Sequence, residues 1–176
     1  MNKKFELTTE TKVVFGITLH RIRALVAFGS VEAGELGGWI EKEENLSADG
    51  NAWVSGNAWV SGNARVYGDA RVYGNAWVYG DAWVYGDAQV SGNARVYGAG
   101  AIFWVGGVGS RNGTTTFFAC KDKKIRVVCG CFFGTLDEFS RAVSKTHGNS
   151  EYAKVYMLAI EMAKARIDLS KVEIDE

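Results

Sequence analysis

A six-residue alternation of polar and small apolar positions dominates the middle of the chain. From Asn51 to Gly98 the sequence repeats Asn/Asp-Ala-x-Val-x-Gly through eight consecutive hexads. Ala and Val lie two positions apart, so in an extended segment their side chains share one face and the variable positions share the other. The Gly-Asn and Gly-Asp junctions supply corners, because these residue types tolerate left-handed backbone conformations. The pattern therefore predicts very short strands joined by tight corners.

A period of six residues favours a coil with three flat faces. Three hexads make one coil, which would bury its Ala and Val side chains in an axial core and hydrogen-bond each strand to the coils above and below. A meander of hairpins also fits the pattern locally, but it would leave a thin and barely buried sheet. We therefore predict a parallel β-helix over residues 45–110, in which Ile102 and Val108 continue the Val position through weaker hexads.

The segment before the repeat, residues 1–44, predicts a small β cap. Two apolar-rich runs, 12–15 and 17–25, flank Gly16 and are typical of a hairpin. A cap is needed at this end because an open coil presents an unpaired strand edge.

The segment after the repeat, residues 111–176, predicts a small α+β domain. Thr135 and Glu138 have the spacing of a capping box, which marks the start of a helix. The predicted elements are strands 114–120 and 125–133 and helices 135–145 and 151–167. The predicted buried stripe of the second helix is Tyr152, Val155, Tyr156, Ala159, Ile160 and Ala163.

The outward positions of the repeat are rich in aromatic residues and Arg. Stacking hexads three apart gives a first face with Trp53 and Arg71, a second with Trp59, Trp77 and Arg95, and a third with Arg65 and Trp83. So much aromatic area is unusual on a surface that only faces water. The candidate ligand- or partner-binding residues are Trp53, Trp59, Arg65, Arg71, Trp77, Trp83 and Arg95. The candidate oligomer-interface residues are Tyr67, Tyr73, Tyr79, Tyr85, Tyr97 and Phe103.

Three interpretations of these rows stay open at the level of sequence. The rings could be ladders that stabilise stacked strands. They could be subunit contacts, since interfaces concentrate Trp, Tyr and Arg, and we then expect a homo-oligomer with a trimer first. They could also bind a planar, anionic, nucleotide-like molecule by ring stacking and guanidinium contacts.

Composition and charge narrow the setting. Twenty Lys and Arg balance 20 Asp and Glu, so no overall positive field favours nucleic acid. No apolar run approaches the roughly 18 residues of a membrane helix, and the first residues lack the apolar core of a signal peptide. Three Cys make a poor disulfide framework. These features predict a cytoplasmic protein without a membrane partner.

Catalytic chemistry is weakly represented. Paired carboxylates, a Ser-His-Asp set and a phosphate loop are not recognisable, and the two His residues flank the repeat. We expect no enzyme activity, no cofactor and no metal. The one group worth testing for zinc combines Cys and His side chains of the tail, namely Cys120, Cys129, Cys131 and His147.

The repeat resembles the hexapeptide repeat of left-handed parallel β-helices, which often belong to acyltransferases with a His base near the coils. Other segments resemble hexapeptide-repeat proteins encoded by bacteriophages and prophages. The segments that carry this second resemblance are Leu36-Gly37-Gly38-Trp39-Ile40-Glu41, Glu44-Asn45-Leu46-Ser47, the Asn-Ala-Trp-Val and Asn-Ala-Arg-Val-Tyr-Gly runs, and the tail from Cys129 to Phe139. The resemblance implies a left-handed coil and a viral protein in the host cytoplasm, and it supplies no catalytic residues.

Two functions from different classes follow, with acyl transfer third. The first is a non-catalytic oligomeric binding protein that opposes host defence by blocking a host protein or sequestering a nucleotide-like ligand. The second is a structural assembly protein whose aromatic rows are all subunit contacts.

Overall fold

Strands of two residues, one in each hexad, stack in parallel and form a β-solenoid of three turns. In the regular hexads each pairing joins residues one coil apart, such as Trp53 with Arg71 and Arg65 with Trp83. The predicted parallel β-helix is thereby confirmed. The computed structural model describes residues 3–172. The solenoid strands are β4 (Trp53–Val54), β5 (Trp59–Val60), β6 (Arg65–Val66), β7 (Arg71–Val72), β8 (Trp77–Val78), β9 (Trp83–Val84), β10 (Gln89–Val90) and β11 (Arg95–Val96).

The axial core of the solenoid consists of the Ala and Val positions of the repeat. From Ala52 to Val96 every one of these side chains is fully buried. Asn and Asp at the corners also stack one coil apart: the Asn51 amide donates to the Asp69 carboxylate at 2.8 Å, and Asn63 donates to Asp81 at 3.1 Å. The corner column therefore adds a side-chain ladder to the backbone ladder.

A long hairpin and one further strand precede the regular coils. They are β1 (Phe5–Val14), β2 (Ile17–Ala24) and β3 (Leu36–Ile40). The hairpin turn is Phe15-Gly16, and both residues have positive φ, as a tight two-residue turn requires. β3 pairs antiparallel with β2 and parallel with β5, so it already belongs to the second face of the solenoid. The coil thus starts earlier than the boundary at residue 45, because β3 supplies a rung without the hexad sequence.

Two buried polar side chains close the first coil. In later coils the backbone carbonyls accept hydrogen bonds from the N–H groups of the preceding coil. At two corners of the first coil no preceding coil is present to supply these N–H groups. There the Lys4 ammonium donates to the carbonyls of Gly50 (3.3 Å) and Ala52 (3.0 Å). The Asn45 amide donates to Gly62 (3.1 Å) and Ala64 (2.9 Å).

The chain leaves the coil after Gly98. A short 3-10 turn, Ala99–Ala101, is followed by a strand that pairs antiparallel with the next strand and not with the coil. This differs from the predicted continuation of the β-helix to residue 110, because the Gly corner is missing and Ile102 to Val105 form a continuous apolar strand. Phe103 therefore stacks on Phe117 and does not extend the third face.

The C-terminal part is an antiparallel sheet of four strands covered by two helices, whereas the sequence predicts two strands. Its elements are β12 (Ile102–Val108), β13 (Gly113–Ala119), β14 (Ile125–Cys129), β15 (Phe132–Thr135), α1 (Leu136–His147) and α2 (Glu151–Arg166). The capping box is present, with Glu138 N–H donating to Thr135 Oγ1 and the Thr135 N–H donating to Glu138. In α2, Tyr152 and Val155 are exposed, so the buried stripe is narrower than predicted. No helix among residues 3–172 has the length and apolar character that crossing a bilayer requires.

The C-terminal part also closes the last coil. Thr116 Oγ1 accepts from the Gln89 N–H at 3.0 Å, and the Lys121 N–H donates to the Asn93 carbonyl at 3.0 Å. Polar groups from β13 and the loop after it therefore replace part of a further coil.

Candidate functional site

The hairpin closes the second face of the solenoid. Trp39, Trp59 and Trp77 stack in register along this face. Leu19 is fully buried against the first two rings, and the Phe15 ring lies edge-on to Trp77 with centroids 5.6 Å apart. The Trp59 ring, a candidate binding residue, is therefore internal.

Arg95, at the end of the same row, is buried as well. Only 3% of its surface is exposed, and its guanidinium carbon lies 3.3 Å from the Trp77 ring centroid. Its Nη1 donates to the Ala94 carbonyl at 3.0 Å. The backbone of Cys120 forms an antiparallel β-bridge with that of Ala94, so the loop of the C-terminal part lies next to Arg95. Arg95 is thus a packing residue. The repeat pattern predicts an outward side chain at this position, because the pattern contains no information about which positions the C-terminal part covers.

The first face is partly closed. Trp53 is buried and contacts Phe28 edge-on, with centroids 5.4 Å apart. Arg71 and Tyr73 are half-buried and line a small pocket of about 270 Å³ beside Trp53. This volume lies just below the range of about 300–1,000 Å³ that is typical of small-molecule sites.

The third face remains accessible, and its residues Arg65, Tyr67, Trp83 and Tyr85 are here called the open face. Arg65 on β6 lies in register with Trp83 on β9. Trp83 is 54% exposed and Tyr85 is 41% exposed, which are high values for side chains of this size. The sheet of this face has two strands, whereas the flanking units close the second face and part of the first.

The rings of the open face hold one another in place. Tyr67 and Tyr85 stack with centroids 5.0 Å apart and an interplanar angle of 10°, and Trp83 lies edge-on to Tyr67 at 6.2 Å. Trp104 of β12 contacts Tyr85 edge-on at 4.4 Å. Burial raises the pKa of Tyr67, and the neighbouring Tyr85 adds to the effect. The result is a rigid, pre-formed aromatic surface.

A groove of about 750 Å³ lies beside Arg65 and Trp83. One wall comes from the 3-10 turn Glu43–Asn45, and the other comes from the third face. Lys42 and Arg65 contribute positive charge to the lining, and Glu44 and Asp81 contribute negative charge. The lining residues are Lys42, Glu44, Asn45, Asn63, Ala64, Arg65, Asp81 and Trp83.

The remaining candidate interface residues make contacts inside the chain. Tyr79 lies 6.4 Å from Trp59 between ring centroids, and Tyr97 donates its hydroxyl proton to the Asp168 carbonyl at 2.6 Å. Phe103 belongs to the C-terminal sheet. Of the six candidates, Tyr67, Tyr73 and Tyr85 thus remain on the faces that are not fully closed.

The Cys and His side chains of the tail do not form a metal site. Among residues 3–172, no three His, Cys, Asp or Glu side chains are placed to hold a metal ion. Burial raises the pKa of the Cys120 thiol to about 12, so it stays a neutral core group. Cys129 accepts from Thr115 Oγ1 at 3.2 Å, His147 stacks on Tyr156 at 5.7 Å, and Cys131 is exposed.

A second concave surface was not foreseen from the sequence. A cleft of about 670 Å³ lies between the last coil and the C-terminal part, with Phe132, Phe139 and Tyr156 in its lining and Arg111 at its edge. Its lining comes from β10, the β12–β13 loop, β14, β15 and both helices, and no sequence period connects these segments. The Cys129-Gly130-Cys131 pair was the one local signal that pointed to this region.

Comparison with known families agrees with the coil geometry. The family model described as YdcK beta solenoid repeat matches residues 58–71, 64–80, 70–86 and 88–102. The chain is a repeat β-helix protein. The matches are confined to the repeat and its edge, and they cover less than half of the chain, so they carry no information about the flanking units. The chain matches no curated protein.

Proposed function

We propose that this protein is a non-catalytic binding protein whose open face captures a small planar anion of the nucleotide class. The observation that supports this most is the pairing of Arg65 with Trp83 beside the 750 Å³ groove. An exposed indole offers a stacking surface for a flat ring, and a guanidinium beside it offers a fork of donors for a phosphate or carboxylate. Both side chains stand on stacked strands, so little order must be gained on binding.

The setting that we propose is a bacteriophage protein in the host cytoplasm. It rests on the resemblance of Leu36 to Glu41 and of the tail around Cys129 to phage-encoded hexapeptide-repeat proteins. A binding protein without catalytic groups acts there by stoichiometric capture. Sequestering a nucleotide-like ligand would remove it from a host defence component.

Calorimetric titration with nucleoside mono-, di- and triphosphates tests the proposed ligand class. Inorganic phosphate and uncharged nucleosides serve as comparison ligands. We expect nucleotides to bind more tightly than either, and Arg65→Gln and Trp83→Ala to weaken binding by about tenfold or more, the loss expected for a charged hydrogen bond or a stacked ring.

Arg141→Gln is the matched control, since it also removes an exposed arginine, on α1. It should leave nucleotide binding unchanged. Failure of every nucleotide to bind, or equal binding by the Arg65→Gln variant, contradicts a small-anion site on the open face.

A second candidate function is blockade of a host protein. The stacked pair of Tyr67 and Tyr85 lies on the open face but outside the groove lining, and a small ligand in the groove would leave it uncovered. Flat surfaces of Trp, Tyr and Arg are typical centres of protein interfaces. Loss of a co-purifying host protein on Tyr85→Ala, with nucleotide binding intact, would favour this function.

A further inference from the structure

The two C-terminal helices differ in how their apolar residues are distributed. In α1, Phe139 and Val143 face the core, while Arg141 and Lys145 face solvent. In α2, one side is buried through Tyr156, Ala159, Ile160 and Ala163, and the side next to it is apolar too. The α2 stripe, defined as the exposed apolar residues of this helix, is Tyr152 (48% exposed), Val155 (42%), Leu158 (65%) and Met162 (56%).

A continuous band of exposed large apolar side chains beside the buried side of a helix is typical of a surface that another molecule covers. The members of the α2 stripe are three or four residues apart, so they form one continuous band along the helix. Leu158 and Met162 are among the most exposed large apolar side chains of the described part of the chain. Because α1 and the C-terminal sheet already contact the other side of α2, the stripe is free to meet another molecule.

The charged residues beside the α2 stripe favour a second copy of this chain as the molecule that covers it. Lys154 and Glu161 are four residues before and three residues after Leu158, so they lie on the same flank of the helix. In two copies of α2 that cross antiparallel near Leu158, Lys154 of each copy meets Glu161 of the other. In a parallel twofold pair each flank faces the opposite flank of the other copy, so Lys154 and Glu161 would not meet across the contact. The flank is therefore self-complementary in one orientation only, as a twofold interface requires.

We propose that the α2 stripe is a homodimer interface, in which a second copy of this chain packs antiparallel on Val155, Leu158 and Met162. Within one chain, Lys154 pairs with Glu151 at 2.6 Å and Glu161 pairs with Lys164 at 2.8 Å, and all four groups are solvent-exposed. They can re-pair across the dimer at small cost. At a rise of about 1.5 Å per residue, α2 is about 24 Å long, so the interface is smaller than a standard one and association is concentration-dependent.

Sedimentation equilibrium of the full chain over a range of concentrations tests this interface. We expect a reversible shift from one to two chain masses, and a monomer at every concentration for Leu158→Glu. Leu158 is mostly exposed, so this variant should keep the melting temperature of the parent. Val13→Glu is the matched control, since Val13 is 69% exposed on the hairpin, and it should still dimerise.

A charge-reversal cycle tests the orientation. Lys154→Glu or Glu161→Lys alone places like charges opposite each other and should weaken the dimer about tenfold, whereas the double variant should recover the parental association. The pairs within one chain are disturbed in the double variant as well, so recovery reports the contact between chains. A parent that stays monomeric, or an oligomer that is insensitive to Leu158→Glu, overturns the proposal. No recovery in the double variant overturns the antiparallel packing. None of these outcomes depends on a ligand at the open face.

Discussion

Lys4 and Asn45 show what single polar residues do at the end of a repeat. Each satisfies two backbone carbonyls for which the repeat itself has no donor. Neither contact could be predicted from the sequence, because the partners lie 17 to 48 residues away and the hexad pattern describes only the interior of the coil. Arg95 is the opposite case, in which an outward position of the repeat becomes buried.

The pH dependence of stability tests the environment of Lys4. Burial lowers its pKa from 10.5 to about 8, against the attraction of Asp49 and Asp69. Between these two pH values the unfolded chain binds more protons than the folded one, so the contribution of Lys4 to the free energy of unfolding rises with pH.

We therefore expect the free energy of unfolding of the parent, measured in urea, to rise relative to that of Lys4→Met between pH 8 and pH 10.5. The total rise should be about 2 kcal/mol. The comparison cancels the titration of Tyr and Cys residues, which both proteins share. A difference that is constant with pH would contradict a buried, charged Lys4 at neutral pH.

At the scale of elements, the corners of the hexads determine where each two-residue strand of the solenoid begins and ends. The six-residue period predicted the corners correctly, because Gly, Asn and Asp recur there without exception. The same signal could not show where the coil ends, since β3 joins the stack without the hexad pattern and β12 leaves it with apolar residues at the expected positions.

Substitutions of two corner glycines can separate the cost of backbone strain from the cost of disturbed packing between coils. Gly50 has φ of +71° and an added Cβ would lie 2.5 Å from the Gly68 carbonyl oxygen, whereas at Gly86, with φ of +62°, the nearest atom would be Trp104 Nε1 at 3.7 Å. Chemical denaturation should show a loss of about 1 kcal/mol for Gly86→Ala from its left-handed conformation, and a clearly larger loss for Gly50→Ala, which must also push two coils apart. Equal losses would show that coil contact at the corner is unimportant.

At the scale of the whole molecule, the flanking units decide which faces of the solenoid stay accessible. The sequence identified the Trp, Tyr and Arg rows, but the choice between ladder, interface and binding surface depends on tertiary contacts such as Leu19 on Trp59 and Cys120 beside Arg95. These contacts have no period. Of the seven candidate binding residues, Arg65 and Trp83 have exposed side chains and Arg71 and Trp77 are half-buried. The other three are buried.

The hairpin should behave as part of the core and not as a loose arm. Leu19→Ala would leave a cavity against Trp39 and Trp59 and should lower the free energy of unfolding by about 2–5 kcal/mol, with a red shift of tryptophan emission. Val13→Ala, on an exposed side chain of the same hairpin, should have almost no effect. Wild-type emission in the Leu19→Ala variant would mean that the hairpin does not cover the second face.

We propose that the open face binds a small anion, whereas the tryptophan row of the second face is internal packing. Native mass spectrometry of the protein purified from phage-infected host cells tests it most directly, with Arg65→Gln purified in parallel. We predict an added mass of a few hundred daltons per chain on the parent and its loss in the variant. A spectrum of chain mass alone for the parent, or the same added mass on both proteins, would contradict the claim.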